Sequence, residues 1–318
     1  MLTWRWVFLV NLPVGIAVFA LVLVLIPAAR GAARQRLDLA GAITVTASLV
    51  VAVYAIVGGN ARGWTSATTL GLLAVSAVLF AAFVAIESRV ASPLVPLALF
   101  KIRSLAAANI VGVLWAAAMF AWFFLSALYL QFVLGYSPLE IGLAFLPANL
   151  IMGAFSLGVS AKLVMRFGIR PTLVAGMTLV AVGLALFARA PVGGSFVVDV
   201  LPSMIVLGLG VGTALNPVLL AAMSDVPQEQ SGLASGVVNT AFMMGGALGL
   251  AVLASVAASR SETLLASGDT RVAALTGGYH AAFLLGAVFA GAAAAVGAVL
   301  LRPKAEHSEA LVPAMEDC

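Results

Sequence analysis

The chain has 318 residues, 63% of them hydrophobic and 9% charged, with a mean hydropathy of +1.17 and a formal net charge of +4. A water-soluble domain of this length has too little interior to hide that much apolar surface, so the surrounding solvent must itself be apolar. The single Cys318 excludes a disulfide framework and a cysteine-based metal site, and the small basic excess gives no ground for a nucleic-acid partner.

Charges divide the chain into uncharged runs from Trp6 to Ala29, Leu39 to Ala61, Gly63 to Ile86, Ser104 to Leu139 and Ile141 to Ala161. Further runs span Pro171 to Ala188, Val200 to Ser224, Gln230 to Ser259 and Val272 to Leu301. A crossing takes about 20 residues at about 1.5 Å rise over about 30 Å of hydrocarbon. Nine transmembrane helices are predicted, over roughly 6–26, 39–58, 66–86, 105–132, 139–161, 171–188, 200–222, 232–258 and 278–300. The sixth reaches full length only if it begins near Gly168. The fold class expected is all-α, a polytopic transmembrane helical bundle with membrane lipid as its first partner. Barrel strands would alternate apolar and polar residues, which the stretches 20–25 and 292–296 do not. A cleavable secretory signal is a poor fit, because only Arg5 precedes the first apolar stretch and further spans follow.

The basic residues orient the bundle. If Arg30, Arg34 and Arg36 are cytoplasmic, that face also holds Arg89, Lys101, Arg103, Lys162, Arg166, Arg170, Arg302 and Lys304, eleven in all. The opposite face holds five: Arg5, Arg62, Arg189, Arg260 and Arg271. The positive-inside rule favours this assignment and a multi-pass protein of the cell's inner (plasma) membrane, with the acidic tail from Glu306 to Asp317 inside.

The fourth predicted helix carries the richest pocket candidates. Residues spaced by three, four and seven share a helix face, so Asn109, Trp115 or Ala116, Phe120 and Phe123 form an inward stripe, with Trp122 and Tyr129 offset. Aromatic rings give shape-tolerant contact area and an amide orients a ligand. From Trp122 to Gln131 the helix nears the outer surface, where an aromatic belt at the lipid interface is the alternative. Pro147 and Pro217 each remove an intrahelical hydrogen bond and are expected to kink or break their helices beside Asn149 and Asn216. Each pair suits a substrate contact or gate; a tolerated kink with a helix–helix hydrogen bond is the other explanation. Gly208, Gly210 and Gly212, and then Gly232, Gly236, Gly245, Gly246 and Gly249, allow close helix approach. That packing suits either rocking helices or a static bundle. No Asp, Glu, Lys or Arg falls at mid-depth in any span, so no default proton site is present. Asp38, Glu140 and Asp225 fall at helix ends as caps or interface groups, and His280 near the outer end of the ninth helix.

The helix pattern and its joints together resemble the major facilitator superfamily, and most closely its fourteen-helix drug:proton antiporter branch of multidrug-efflux proteins. Trp4-Arg-Trp-Val-Phe-Leu-Val-Asn-Leu-Pro-Val-Gly15 resembles the external loop leading into that family's sixth helix, and Arg36, Asp38 and Gly41 the start of the seventh. Pro93-Leu-Val-Pro-Leu-Ala-Leu-Phe100 is similar to the amphipathic joint before the ninth helix. Ser231-Gly-Leu-Ala-Ser-Gly-Val-Val-Asn-Thr240 with Gly245-Gly-Ala-Leu-Gly249 resembles the start of the thirteenth. In the latter segment relatives carry a polar or basic pair after Asn239 and Thr240, where this chain has Phe242, Met243 and Met244; plain helix packing or a greasier route would explain the change.

The resemblance implies that residues 1–30 are the last helix of an N-terminal bundle, 31–104 two intervening helices and a joint, 105–301 a six-helix C-terminal bundle, and 302–318 a cytoplasmic tail. It also implies five further helices upstream, carrying the proton-coupling carboxylate. Gly158-Val-Ser-Ala-Lys162-Leu-Val-Met-Arg166-Phe-Gly168-Ile-Arg170 resembles the family's cytoplasmic gating loop, with Gly168 as a tight turn and Arg166 and Arg170 reaching helix-end carbonyls or an acidic partner. The implied function is proton-coupled efflux of small hydrophobic or amphipathic compounds, with Asn109, Trp115, Phe120, Phe123, Asn149, Asn216 and Asn239 as cavity candidates. Pro147, Gly158, Arg166, Gly168, Arg170 and Pro217 are then the gating candidates. A membrane scaffold or partner subunit needing another chain is the rival class. No cofactor or metal is expected, and an enzyme is disfavoured because His280 and His307 form no nucleophile–base pair with other side chains.

Overall fold

The computed structural model describes residues 9, 11–25, 38–90, 93–95 and 101–301. The Trp4 to Trp6 segment, the basic joint with Arg30, Arg34 and Arg36, most of the Pro93 to Phe100 joint and the tail from Arg302 lie outside them. The chain divides into a unit Met1–Asp38 and a unit Leu39–Cys318. The first contains α1 (Asn11–Leu25), a 15-residue apolar helix. Both ends of the predicted 6–26 crossing fall outside the described residues, so α1 is the described part of that element.

The second unit is helical throughout its described residues, with eight helices long and apolar enough to cross a membrane. They begin with α2 (Leu39–Arg62), α3 (Ala67–Glu87) and α4 (Arg103–Phe132). Next comes a continuous rod made of α5 (Pro138–Ala154), a π turn (Phe155–Val159) and α6 (Ser160–Phe167). Then follow α7 (Ile169–Phe187), a second π turn (Phe196–Val200) leading into α8 (Leu201–Met223), a 3₁₀ turn (Gln228–Gln230), α9 (Ser231–Ala266) and α10 (Arg271–Leu300).

Local chemistry explains several starts. Ser66 Oγ accepts the Thr69 N–H at 3.2 Å ahead of α3. Ser137 and Glu140 form a reciprocal cap on α5: the Ser137 N–H donates to Glu140 Oε2 at 2.8 Å, and the Glu140 N–H to Ser137 Oγ at 3.4 Å. Thr270 Oγ1 accepts the Ala273 N–H at 3.4 Å at the start of α10. The sixth predicted helix does begin beside Gly168, at Ile169, and so reaches 19 residues. Gly168 turns the chain there at φ +87°, a backbone conformation that other residues adopt only with strain.

The boundaries differ from the sequence expectation at three places. The predicted 139–161 helix runs on to Phe167, so the expected gating loop is helical and only Gly168 is turn. The helix expected to end at 258 continues to Ala266, and its successor starts at Arg271 rather than 278. At about 1.5 Å per residue, the 36 residues of α9 span about 54 Å. That length exceeds the hydrocarbon core, so Arg260 and Glu262 can be helical and still reach water. Charge had marked the membrane boundary, not the end of the helix.

Helix α4 is the hub of the bundle. It packs against α9, α10, α8 and α5, while α7 packs on α8 and α10, α5 on α8, and α9 on α10. Helices α2 and α3 form a hairpin, joined by the Ser48 Oγ bond to Ser76 O at 3.0 Å and the Ser76 Oγ bond to Ser48 O at 2.8 Å. This hairpin meets the bundle through α2 and α9, where Ser255 Oγ donates to Ile56 O at 3.2 Å. Lipid tails offer no less apolar surroundings than leucine does, so close packing and hydrogen bonds hold such helices together. The interior of α4 is accordingly rich in alanine: Ala107, Ala108, Ala116, Ala117, Ala118 and Ala121 are all buried.

Candidate functional site

Three aromatic clusters fan out from α4. Trp115 packs on Phe242 of α9 with ring centroids 5.3 Å apart, and Phe120 meets the same ring edge-on at 6.0 Å. Trp122 and Phe123 lie 4.4 Å apart, and Phe123 stacks on Phe145 of α5 at 5.5 Å. Nearer the helix end, Tyr129 meets Phe187 of α7 at 5.7 Å, and Phe187 meets Phe283 of α10 at 4.6 Å. The Tyr129 hydroxyl donates to Pro191 O at 2.8 Å, and His280 Nε2 is 2.8 Å from Ala190 O, so two helices hold the α7–π turn connection. His280 is thus half-buried in a main-chain contact. The belt alternative for Trp122 and Tyr129 is corrected: both are buried, at 1% and 0% exposure. The chain's greater demand at these positions is filling the volume between four helices.

The predicted stripe splits by depth. Asn109 and Trp115 are buried, whereas Phe120 and Phe123 are half-buried. Asn109 Nδ2 donates to Leu105 O at 2.8 Å within its own helix, while its Oδ1 has no partner. The indole N–H groups of Trp115 and Trp122 are also buried without partners. An orphaned buried donor or acceptor costs about 1–3 kcal/mol, and α4 carries three of them. Phe242 fills the space between Trp115 and Phe120, the plain packing explanation for the departure from the polar pair.

The four candidate asparagines are not gathered together. Asn149 on α5 and Asn239 on α9 are exposed, and Asn239 belongs to a small and polar face of α9 with Gly232, Gly236 and Thr240. Asn216 instead donates through Nδ2 to Ser156 O at 2.6 Å. That carbonyl belongs to the π turn, where the extra residue loosens the regular backbone ladder. Sequence gave no sign of the π turn, and so no sign of this partner.

Asn216 is one rung of a seam joining α8 to the α5–α6 rod. Ser160 Oγ donates to Thr213 O at 2.9 Å, one turn away. Above these bonds the backbones nearly touch: a Cβ built on Gly208 would lie 2.6 Å from Ala148 O, and one on Gly212 2.7 Å from Met152 O. Gly210 faces the other way, its notional Cβ 2.7 Å from the Val180 nitrogen of α7. Helix α8 is therefore wedged between two neighbours. Gly232, Gly236 and Gly158, by contrast, have nothing within 4 Å of a notional Cβ.

Of the expected kink or break, the break is corrected at both Pro147 and Pro217. Both lie inside uninterrupted helices, Pro138–Ala154 and Leu201–Met223, and Pro217 is buried. The irregularity falls instead at the π turn with Gly158. Arg166 and Arg170 are also corrected: among the described residues neither makes an ion pair or a hydrogen bond. Arg166 lies 5.3 Å over the ring of Phe167, and Arg170 lines a cavity that also contains Asp225 without pairing with it.

Residues 1–250 match the family model described as Major Facilitator Superfamily. The chain is 38% identical over 257 residues to a lincomycin resistance protein of Streptomyces lincolnensis, covering 80% of this chain and 52% of that protein. It is 33% identical over 303 residues to the puromycin resistance protein pur8 of Streptomyces alboniger, covering 94% and 59% respectively. It is 34% identical over 258 residues to the multidrug resistance protein Stp of Mycobacterium tuberculosis, covering 80% and 47%. The chain thus spans about half the length of the curated relatives it matches. With the family model matched over residues 1–250 and relatives 33–38% identical across most of its length, the chain belongs to the Major Facilitator Superfamily.

Proposed function

We propose that this chain supplies one wall and the moving parts of an exporter of small hydrophobic or amphipathic compounds. Its basic end faces the cytoplasm across the inner (plasma) membrane. In this reading α4–α10 form one half of the transporter and α2 with α3 the intervening pair. The observation that carries it is the aromatic content of α4, where half-buried Phe120 and Phe123 share a helix with the unpartnered Asn109, Trp115 and Trp122 atoms. Apolar rings accept varied solutes at little cost in specificity, and the few orphaned polar atoms orient them. The names of the relatives, which speak of resistance to lincomycin, puromycin and multiple drugs, point to the same solute class.

The α5–α6 rod couples that wall to the cytoplasmic end. Its upper part holds Phe145 against Phe123, its middle is the π turn, and its lower end carries Arg166 just before Gly168. Gly158, with open space around it, gives the rod room to flex at the π turn, and the Asn216–Ser156 and Ser160–Thr213 bonds pass that motion to α8. Proton coupling enters through the family. The described spans carry no Asp, Glu, Lys or Arg at mid-depth, so their part is to shape and open the passage.

The test is binding of a fluorescent amphipathic cation to the purified chain, followed by its movement into vesicles under an imposed pH gradient. Phe123→Ala and Trp115→Ala are expected to weaken dye binding by about tenfold, the equivalent of about 1.4 kcal/mol. Saturable binding that is indifferent to both substitutions would place the solute elsewhere and end this assignment.

A further inference from the structure

A second site lies at the basic end, away from the aromatic rings of α4. The start of α4, the start of α7 and the ends of α8 and α10 enclose a cavity of about 630 Å³, lined by Arg103, Ser104, Arg170 and Asp225 among others. That volume is in the range of small-molecule sites.

The two helix starts in this cavity are bare. Neither Ile102 ahead of α4 nor Gly168 ahead of α7 makes a side-chain cap, a feature shared with α6, α8 and α9. The first N–H groups of a helix have no intrahelical acceptor, so an uncapped start favours an anion. Ser104 is the second observation. It is only 8% exposed, and its Oγ has no hydrogen-bond partner. At the second position of α4 it has no carbonyl of its own helix four residues back, so the hydroxyl is left for a ligand.

The charges support the same conclusion. Arg103 makes one long hydrogen bond, Nη2 to Val299 O at 3.4 Å, and among the described residues Arg170 makes none. Asp225 pairs with neither, so the lining carries two guanidinium groups against one carboxylate. The carbonyl ends of α8 and α10 offset the two helix starts. Selectivity therefore rests on the arginines and Ser104. A guanidinium presents parallel donors matched to oxyanions, and a phosphate has enough oxygens to engage two guanidiniums and a hydroxyl together.

We propose that this cavity binds a phosphate group, presented by an anionic lipid headgroup at the membrane face or by a soluble phosphate. The proposal goes beyond the transport reading and is tested by binding alone, so failure of either leaves the other standing. The full chain would be placed in phosphatidylcholine nanodiscs containing phosphatidylglycerol, with retained lipid counted by native mass spectrometry. Inorganic phosphate would be titrated calorimetrically in a parallel arm.

Arg103→Gln and Arg170→Gln should each weaken binding about tenfold, and Ser104→Ala about threefold. Lys162→Gln and Arg89→Gln remove charge at the same end but outside the cavity, and should change it less than about twofold. Arg170→Lys, which keeps the charge without the fork, should fall between. Retention of phosphatidylglycerol alone assigns the site to lipid, and response to inorganic phosphate alone assigns it to a soluble anion; either supports the proposal. Equal losses for Lys162→Gln and Arg170→Gln would overturn it, as would no preference over phosphatidylcholine together with no phosphate signal. Binding that appears only when residues 302–318 are removed would also overturn it, because the acidic tail would then be the occupant.

Discussion

Replacing Gly208 by alanine probes the contact between α8 and the α5–α6 rod. The new Cβ would lie 2.6 Å from Ala148 O, 3.2 Å from Ala148 Cα and 3.3 Å from Ala148 C, all backbone atoms that cannot rotate away. Carbon in van der Waals contact wants about 3.5 Å. Helix α8 must therefore retreat by most of an ångström at that point. The retreat would stretch the Asn216–Ser156 and Ser160–Thr213 bonds, now 2.6 and 2.9 Å. Overpacking of this kind costs about 1–3 kcal/mol. Alanine also favours helix over glycine by about 1 kcal/mol, which partly masks the cost.

Gly236→Ala is the matched reference, because it gains the same helix preference with nothing within 4 Å of the added methyl. The difference between the two variants isolates the steric cost and should be about 1–3 kcal/mol. Reversible unfolding in mixed micelles, followed by tryptophan fluorescence, measures it. Gly212→Ala should behave like Gly208→Ala, and the double variant should cost less than the sum, because one displacement of α8 relieves both clashes. Equal stabilities for Gly208→Ala and Gly236→Ala would refute the close backbone approach.

Further substitutions test individual parts. Asn216→Ala leaves the π-turn carbonyl without its donor and should cost about 0.6–1.7 kcal/mol in the same unfolding assay. Gly168→Ala forces a side chain into φ +87° and should destabilise by about 1–3 kcal/mol, with a matching loss of vesicle transport if the turn also works as a hinge. Trp115→Phe removes a ring portion but also an orphaned N–H, so it should cost less than about 1.5 kcal/mol, against about 3–5 kcal/mol for Trp115→Ala. Tyr129→Phe breaks the bond to Pro191 O; about 0.5–1.5 kcal/mol of stability should go, with faster hydrogen exchange over residues 188–195.

Three things were legible along the chain before any packing was known: the apolar solvent, the approximate place of the described crossings, and the family. The first two follow from length, charge and hydropathy, which a helix shows along its own axis whatever it touches, and the family from the motifs at the joints. Even Gly168 could be read as a turn, because the next apolar run needed the extra residues. Which residues become partners emerged from the packing of the helices. Asn216 was visible as an amide beside a proline, but its acceptor is a carbonyl 60 residues away, freed by a π turn with no compositional mark. Trp122 and Tyr129 occupy positions that suit a lipid belt equally well, until α5, α7 and α10 close around them. Arg103 and Arg170 stand 67 positions apart and come to line one cavity only in the folded bundle. In a bilayer nearly every face of every helix is apolar, so hydropathy says where a helix lies but not which side it turns to its neighbours.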